Sequence, residues 1–77
     1  MIGKQVAAAR ALVGWTQGDL AKAAGVSDTT VKRAEGTATI PASERALERI
    51  RAALEAAGVE FIEPNGGGPG VRLRGRE

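Results

Sequence analysis

The sequence predicts a mainly α fold in which four short helices precede a β-hairpin, and three observations carry that expectation. Residues 3–13 and 43–57 repeat apolar side chains at helical spacing, residues 16–36 read as two capped helices around a glycine turn, and residues 59–74 switch to alternation around a glycine-rich loop. The 77 residues suffice for one small domain and leave no room for a sizeable pocket beside a core.

The first helix is expected from Gly3 to about Val13, with Val6, Ala9 and Val13 as its apolar stripe and Ala7, Ala8 and Ala11 raising its propensity. Arg10 sits beside that stripe. An arginine there either snorkels to water or pairs with a carboxylate, and the carboxylate to name is Glu35.

The second helix announces its start in three parts. Thr16 caps, Asp19 stands at the capping-box position with Asp in place of the usual Glu, and Trp15 and Leu20 have staple spacing. After Leu20, Ala21 and Ala24, Gly25 ends the helix, because a residue without a side chain takes the left-handed conformation at little steric cost. Ser27 caps the third helix, Val26 and Val31 repeat the staple, and Val31 and Ala34 form its apolar edge. The other face carries Asp28, Thr29, Lys32 and Arg33. Hydroxyls and cations on the open face of a short helix suit base edges and phosphates. A solvated face is the ordinary fate of a charged stripe, but here the turn, two caps and two staples fall in register as a helix-turn-helix.

Thr37 to Ala42 should be a loop, since Pro41 disfavours helix at Ile40. Ser43 then caps a fourth helix running to about Ala57, with Leu47, Ile50 and Leu54 on one face, and Gly58 ends it. Beyond it, Val59, Glu60, Phe61 and Ile62 alternate loosely and Val71, Arg72, Leu73 and Arg74 strictly. A hairpin follows, with Val59, Phe61, Val71 and Leu73 on one face and Glu60 opposite Arg72 or Arg74 as a cross-strand ion pair. The intervening PNGGGPG lacks the GK[ST] ending of a phosphate loop and leads into a strand, so it reads as a hairpin loop. Arg72, Arg74 and Arg76 read as solubilising and edge-protecting charges rather than DNA contacts.

Composition removes several function classes. With no cysteine and no histidine, disulfides, thiolate or zinc sites and histidine acid-base chemistry are absent. No cofactor, metal or catalytic residue is expected, and the chain is not expected to be an enzyme. The formal charge is only +2, but residues 1–58 hold eight Lys and Arg against six acids, whereas residues 59–77 hold three of each. That placement suits nucleic acid. Lys4, Gln5 and Arg10 interrupt the apolar N-terminal run and no stretch reaches membrane length, so a soluble, cytoplasmic, nucleoid-associated protein with no membrane partner is expected.

The segment from Val6 to Gly36, and more loosely to Leu54, resembles the phage repressor and Cro type of helix-turn-helix, the XRE family, through Gln17, Leu20, Ala21, Gly25, Val26, Val31 and the closing Glu35-Gly36. The resemblance implies a four-helix repressor-like DNA-binding domain, residues 1–58, with the helix-turn-helix as helices 2 and 3; the short C-terminal β-hairpin, residues 59–77, stands where many relatives have a fifth helix. It implies that Asp28, Thr29, Lys32 and Arg33 face bases or adjacent phosphates, that Gln17 binds phosphate, and that Arg10 and Glu35 form a buried structural ion pair. Ala34 is small where the family places a bulky residue, so Trp15 or Leu47 must fill that space. The ending VEFIEPNGGGPGVRLR also looks like that of small stand-alone bacterial regulators of this type.

The expected function is sequence-specific transcriptional regulation by a homodimer on an inverted repeat of double-stranded DNA. Lys32 or Arg33 would read guanine, and Thr29 a thymine methyl or a phosphate. Asp28 would accept from cytosine, or else stabilise its own helix start and orient Lys32. Thr16, Gln17, Thr37, Thr39 and Arg45 are the phosphate candidates. An alanine-rich core with Trp15 and Phe61 as its only aromatics looks thin for a monomer, so Val59, Phe61, Val71 and Leu73 are expected to pair the hairpin with that of a second copy. The alternative is an antitoxin-type protein whose hairpin engages a partner such as a toxin.

Overall fold

The computed structural model describes residues 3–37, 39–64 and 66–74. Its elements in chain order are α1 (Gly3–Leu12), α2 (Gln17–Ala24), α3 (Asp28–Ala34), α4 (Glu44–Ala56), β1 (Val59–Ile62) and β2 (Gly70–Leu73). Both middle helices begin on their expected caps. Thr16 Oγ1 accepts from the Asp19 amide at 3.0 Å while the Asp19 carboxylate accepts from the Thr16 amide at 2.9 Å, so the capping box closes with aspartate. Ser27 and Ser43 accept from the amides of Thr30 and Ala46, both at 3.1 Å.

The turn between α2 and α3 rests on Gly25, whose φ of 71° is left-handed. It closes with the Val26 amide on the Ala21 carbonyl at 3.0 Å and the Gly25 amide on Lys22 at 3.3 Å, the paired bonds of a Schellman ending. Any other residue at this position would carry backbone strain.

One apolar core holds the elements together: Val6, Ala9, Leu20, Ala21, Ala24, Val31, Ala34, Ile50, Leu54, Val59 and Phe61 are buried in a single cluster. Trp15 and Leu47 both pack against it from the edge, half-buried. Ala34 sits where α1 comes close. A Cβ on Gly3 would stand 2.6 Å from the Glu35 carbonyl oxygen and 3.1 Å from that of Ala34, so a hydrogen at Gly3 sets the spacing between α1 and the end of α3.

The strands pair antiparallel with Val59 opposite Leu73, Glu60 opposite Arg72, Phe61 opposite Val71 and Ile62 opposite Gly70. Arg72 ion-pairs with Glu60. Arg74 instead donates its backbone amide to Gly58 and its guanidinium to the Glu55 carbonyl. Arg76 lies outside the described residues. Val59 and Phe61 do not face a second copy, as the alternation had suggested; they are buried in the core of their own chain, with Arg51 of α4 over the Phe61 ring at 5.2 Å from its centroid. Burying both within the chain removes more apolar surface than a two-stranded pair could cover by itself. Of that face only half-buried Val71 and exposed Leu73 remain open to solvent.

Gln5 is the polar residue that ties the hairpin down. Only 4% exposed, it donates from Nε2 to the carbonyls of Ile62 at 3.2 Å and Gly70 at 3.0 Å, facing positions at the loop end of the ladder. No sequence pattern marks this contact, because a single glutamine in a helix reads as surface.

Candidate nucleic-acid interface

Residues α3 exposes fall in two adjacent rows, Asp28 with Lys32 and Thr29 with Arg33, each row four residues apart. The opposite side is buried through Val31 and Ala34, which fixes how the helix is rotated. Asp28, Thr29 and Lys32 are exposed and Arg33 is half-buried. Among the described residues none of these four side chains takes part in a hydrogen bond or ion pair. The expected link from Asp28 to Lys32 is therefore not made. Asp28 lies in the first turn, where its charge complements the positive end of the helix dipole without holding Lys32.

Behind α3 the scaffold is tied by charge. Arg10 donates from Nε to Glu35 Oε2 at 2.7 Å and from Nη2 to Oε1 at 3.3 Å, and its Nη1 reaches the Trp15 carbonyl at 3.1 Å. The Glu35 side chain is 3% exposed and that of Arg10 23%. The bond to Glu35 is the main reason that the Arg10 guanidinium is held above its ordinary pKa, against a smaller opposing effect of burial. Arg10 on α1 thus grips both ends of the helix pair, the entry to α2 and the exit from α3.

Glu35 has a further partner. Gln17 Nε2 donates to its Oε1 at 2.9 Å, so the amide expected on a phosphate is turned onto Glu35 instead. The start of α2 still presents exposed Thr16, whose hydroxyl oxygen serves as cap while its proton stays available. Thr37 donates from Oγ1 to the Lys32 carbonyl at 3.0 Å, and Thr39 and Arg45 are exposed.

Arg49 is a cation that the sequence reading missed. With Arg45, Ser43, Ala46, Gly25, Val26 and Thr30 it lines a groove of about 280 Å³ between the α2–α3 turn and the start of α4, its Nη1 3.5 Å from where a Cβ on Gly25 would lie. The usable signal was its spacing of four from Arg45 on one helix. Around the structure the cations divide in two. Arg10, Arg51 and Arg72 are paired with carboxylates, whereas Lys4, Lys22, Lys32, Arg33, Arg45, Arg49 and Arg74 have none among the described residues.

Comparison with known families decides what the two helices and their turn are. A family model described as a helix-turn-helix domain matches residues 2–61. The chain belongs to the helix-turn-helix domain family. Among curated proteins, none matches the chain. The matched span of the helix-turn-helix domain takes in all four helices and β1 as far as Phe61. Among the described residues no helix is long and apolar enough to cross a membrane, and no group of His, Cys, Asp or Glu is placed to hold a metal ion. A helix-turn-helix domain of this kind is a DNA-binding module, and α3 is its second helix.

Proposed function

We propose that this protein is a sequence-specific transcriptional regulator of the repressor and Cro type, binding as a homodimer to an inverted repeat in DNA. The observation that carries the reading is the outward side of α3, where Asp28, Thr29, Lys32 and Arg33 stand exposed or half-exposed with no side-chain hydrogen-bond or ion-pair partner among the described residues. Arg10, Arg51 and Arg72 are neutralised by carboxylates, whereas Thr29, Lys32 and Arg33 keep their donors for base edges and phosphates. Lys32 or Arg33 reads guanine through O6 and N7, and Thr29 meets a thymine methyl or a phosphate. Thr16, Thr37, Thr39 and Arg45 position the domain on the backbone, with Arg49 added by its place beside Arg45. Gln17 contributes through the first-turn amide of α2, because its side-chain amide is engaged by Glu35.

Two such domains related by a two-fold axis place their α3 helices in successive major grooves roughly 34 Å apart. Binding-site selection with Arg33→Ala and Gln17→Ala tests this. Arg33→Ala should relax preference at one base position at a cost of about 1–3 kcal/mol, while Gln17→Ala, which keeps the α2 backbone amide, leaves affinity and preference close to wild type. A preference identical to wild type in Arg33→Ala would sink the assignment.

A further inference from the structure

The outer edge of β2 is open, and its shape is self-complementary. Because the Arg74 amide donates to the Gly58 carbonyl at 2.6 Å, those two form a hydrogen-bonded pair of the antiparallel ladder, and alternation makes Glu60 with Arg72 and Ile62 with Gly70 the next ones. Gln5 Nε2 reaching both the Ile62 and Gly70 carbonyls agrees with that phase. The backbone groups of Val71 and Leu73 then point away from β1. Among the described residues neither makes a backbone hydrogen bond outside the hairpin. An extended strand is the chemistry that satisfies such a row.

Two further features lie on the same edge. Leu73 is 49% exposed, a large apolar side chain standing out from the face that Val59 and Phe61 bury. Two residues back, Val71 lines a groove of about 350 Å³ with Pro69, Gly70 and the α1 residues Lys4, Gln5 and Ala8. A knob and a hole two positions apart on one strand edge are what an isologous contact requires, since a two-fold axis exchanges them.

Resting on the homodimer reading above, we infer that two copies join through antiparallel pairing of β2 with the partner's β2, centred on Arg72. In that register Val71 exchanges hydrogen bonds with the partner subunit's Leu73, whose side chain enters the groove beside Val71 and Ala8. The two hairpins become one four-stranded sheet. Arg72 meets its own counterpart at the axis, and each guanidinium is already paired with Glu60 of its chain, which removes most of the like-charge repulsion.

The chain has no cysteine, so a single Arg72→Cys substitution in the full chain reports the register without background. Residues facing each other at a non-hydrogen-bonded position have Cα atoms about 4.5 Å apart, within the range a disulfide spans. Mild oxidation should convert most of Arg72→Cys to a disulfide-linked dimer, at least tenfold faster than Lys22→Cys on exposed α2. Leu73→Lys should raise the dimer dissociation constant at least tenfold in sedimentation equilibrium, shifting the mass from twice 7.9 kDa toward 7.9 kDa, with unchanged helical circular dichroism. A wild-type dimer that survives Leu73→Lys, together with Arg72→Cys crosslinking no faster than Lys22→Cys, overturns the edge pairing and leaves a homodimer formed elsewhere. A wild-type chain that sediments at 7.9 kDa at every concentration and binds DNA one copy per site overturns the homodimer itself.

Discussion

Replacing Glu35 by alanine should destabilise this domain far beyond what an ordinary surface ion pair would suggest. The carboxylate accepts three hydrogen bonds, at 2.7 and 3.3 Å from Arg10 and 2.9 Å from Gln17, and is 3% exposed. Removing one partner of a fully buried pair costs about 3–5 kcal/mol, because the survivor's charge is left without compensation. Arg10 is 23% exposed and regains some water, which lowers that cost, while the Gln17 amide loses a bond worth about 1 kcal/mol. The net expectation is about 2–4 kcal/mol. For a domain of this size that corresponds to a fall in Tm on the order of 10–25 °C, measurable by thermal melts and urea titration. Arg10→Met combined with Glu35→Leu should recover most of the loss, since no orphan charge remains. A cost below about 1 kcal/mol for Glu35→Ala, or a double variant no more stable than the single, would refute the view that this pair ties α1 to the ends of the helix pair.

Other expectations follow from single contacts. Gly3→Ala should destabilise by about 1–3 kcal/mol in urea titrations, although alanine is the better helix former, because its Cβ meets the Glu35 carbonyl at 2.6 Å and the backbone must shift. Asp19 has its pKa lowered, first by the Thr16 backbone hydrogen bond and then by the Thr16 side chain. A folded value below the unfolded one contributes stability at higher pH that is lost as pH falls below the usual 3.8 and through the folded value, so Asp19→Asn should flatten the acid limb of the stability curve. Lys32→Ala should reduce the slope of log affinity against log salt by about 1, read from fluorescence anisotropy across a salt series.

Local signals settled some features and left others open. Thr16, Ser27 and Ser43 are caps whose partners lie three residues away, and Gly25 ends α2 with bonds inside its own turn, so neighbouring residues were enough to read them. The side of α3 that would face DNA was legible for the same reason, as Val31 and Ala34 fix the rotation by periodicity. Arg49 was missed because its nearness to Gly25 depends on how α4 crosses α2. Gln17 on Glu35 bridges eighteen positions, and no motif records where a long amide turns.

By itself the sequence determined four helices, three of them capped, the glycine turn, the alternation of the hairpin and the open chemistry of α3, because each is governed by contacts within a few residues. Tertiary structure decided what covers each apolar face. Alternation states that Val59 and Phe61 share a side with Val71 and Leu73, but it carries no information on whether a helix of the same chain or a second copy lies against that side. Contacts across 57 and 65 positions, from Gln5 to the carbonyls of Ile62 and Gly70, anchor the hairpin end, and burial of Val59 and Phe61 against the helices leaves the edge at Val71 and Leu73 uncovered.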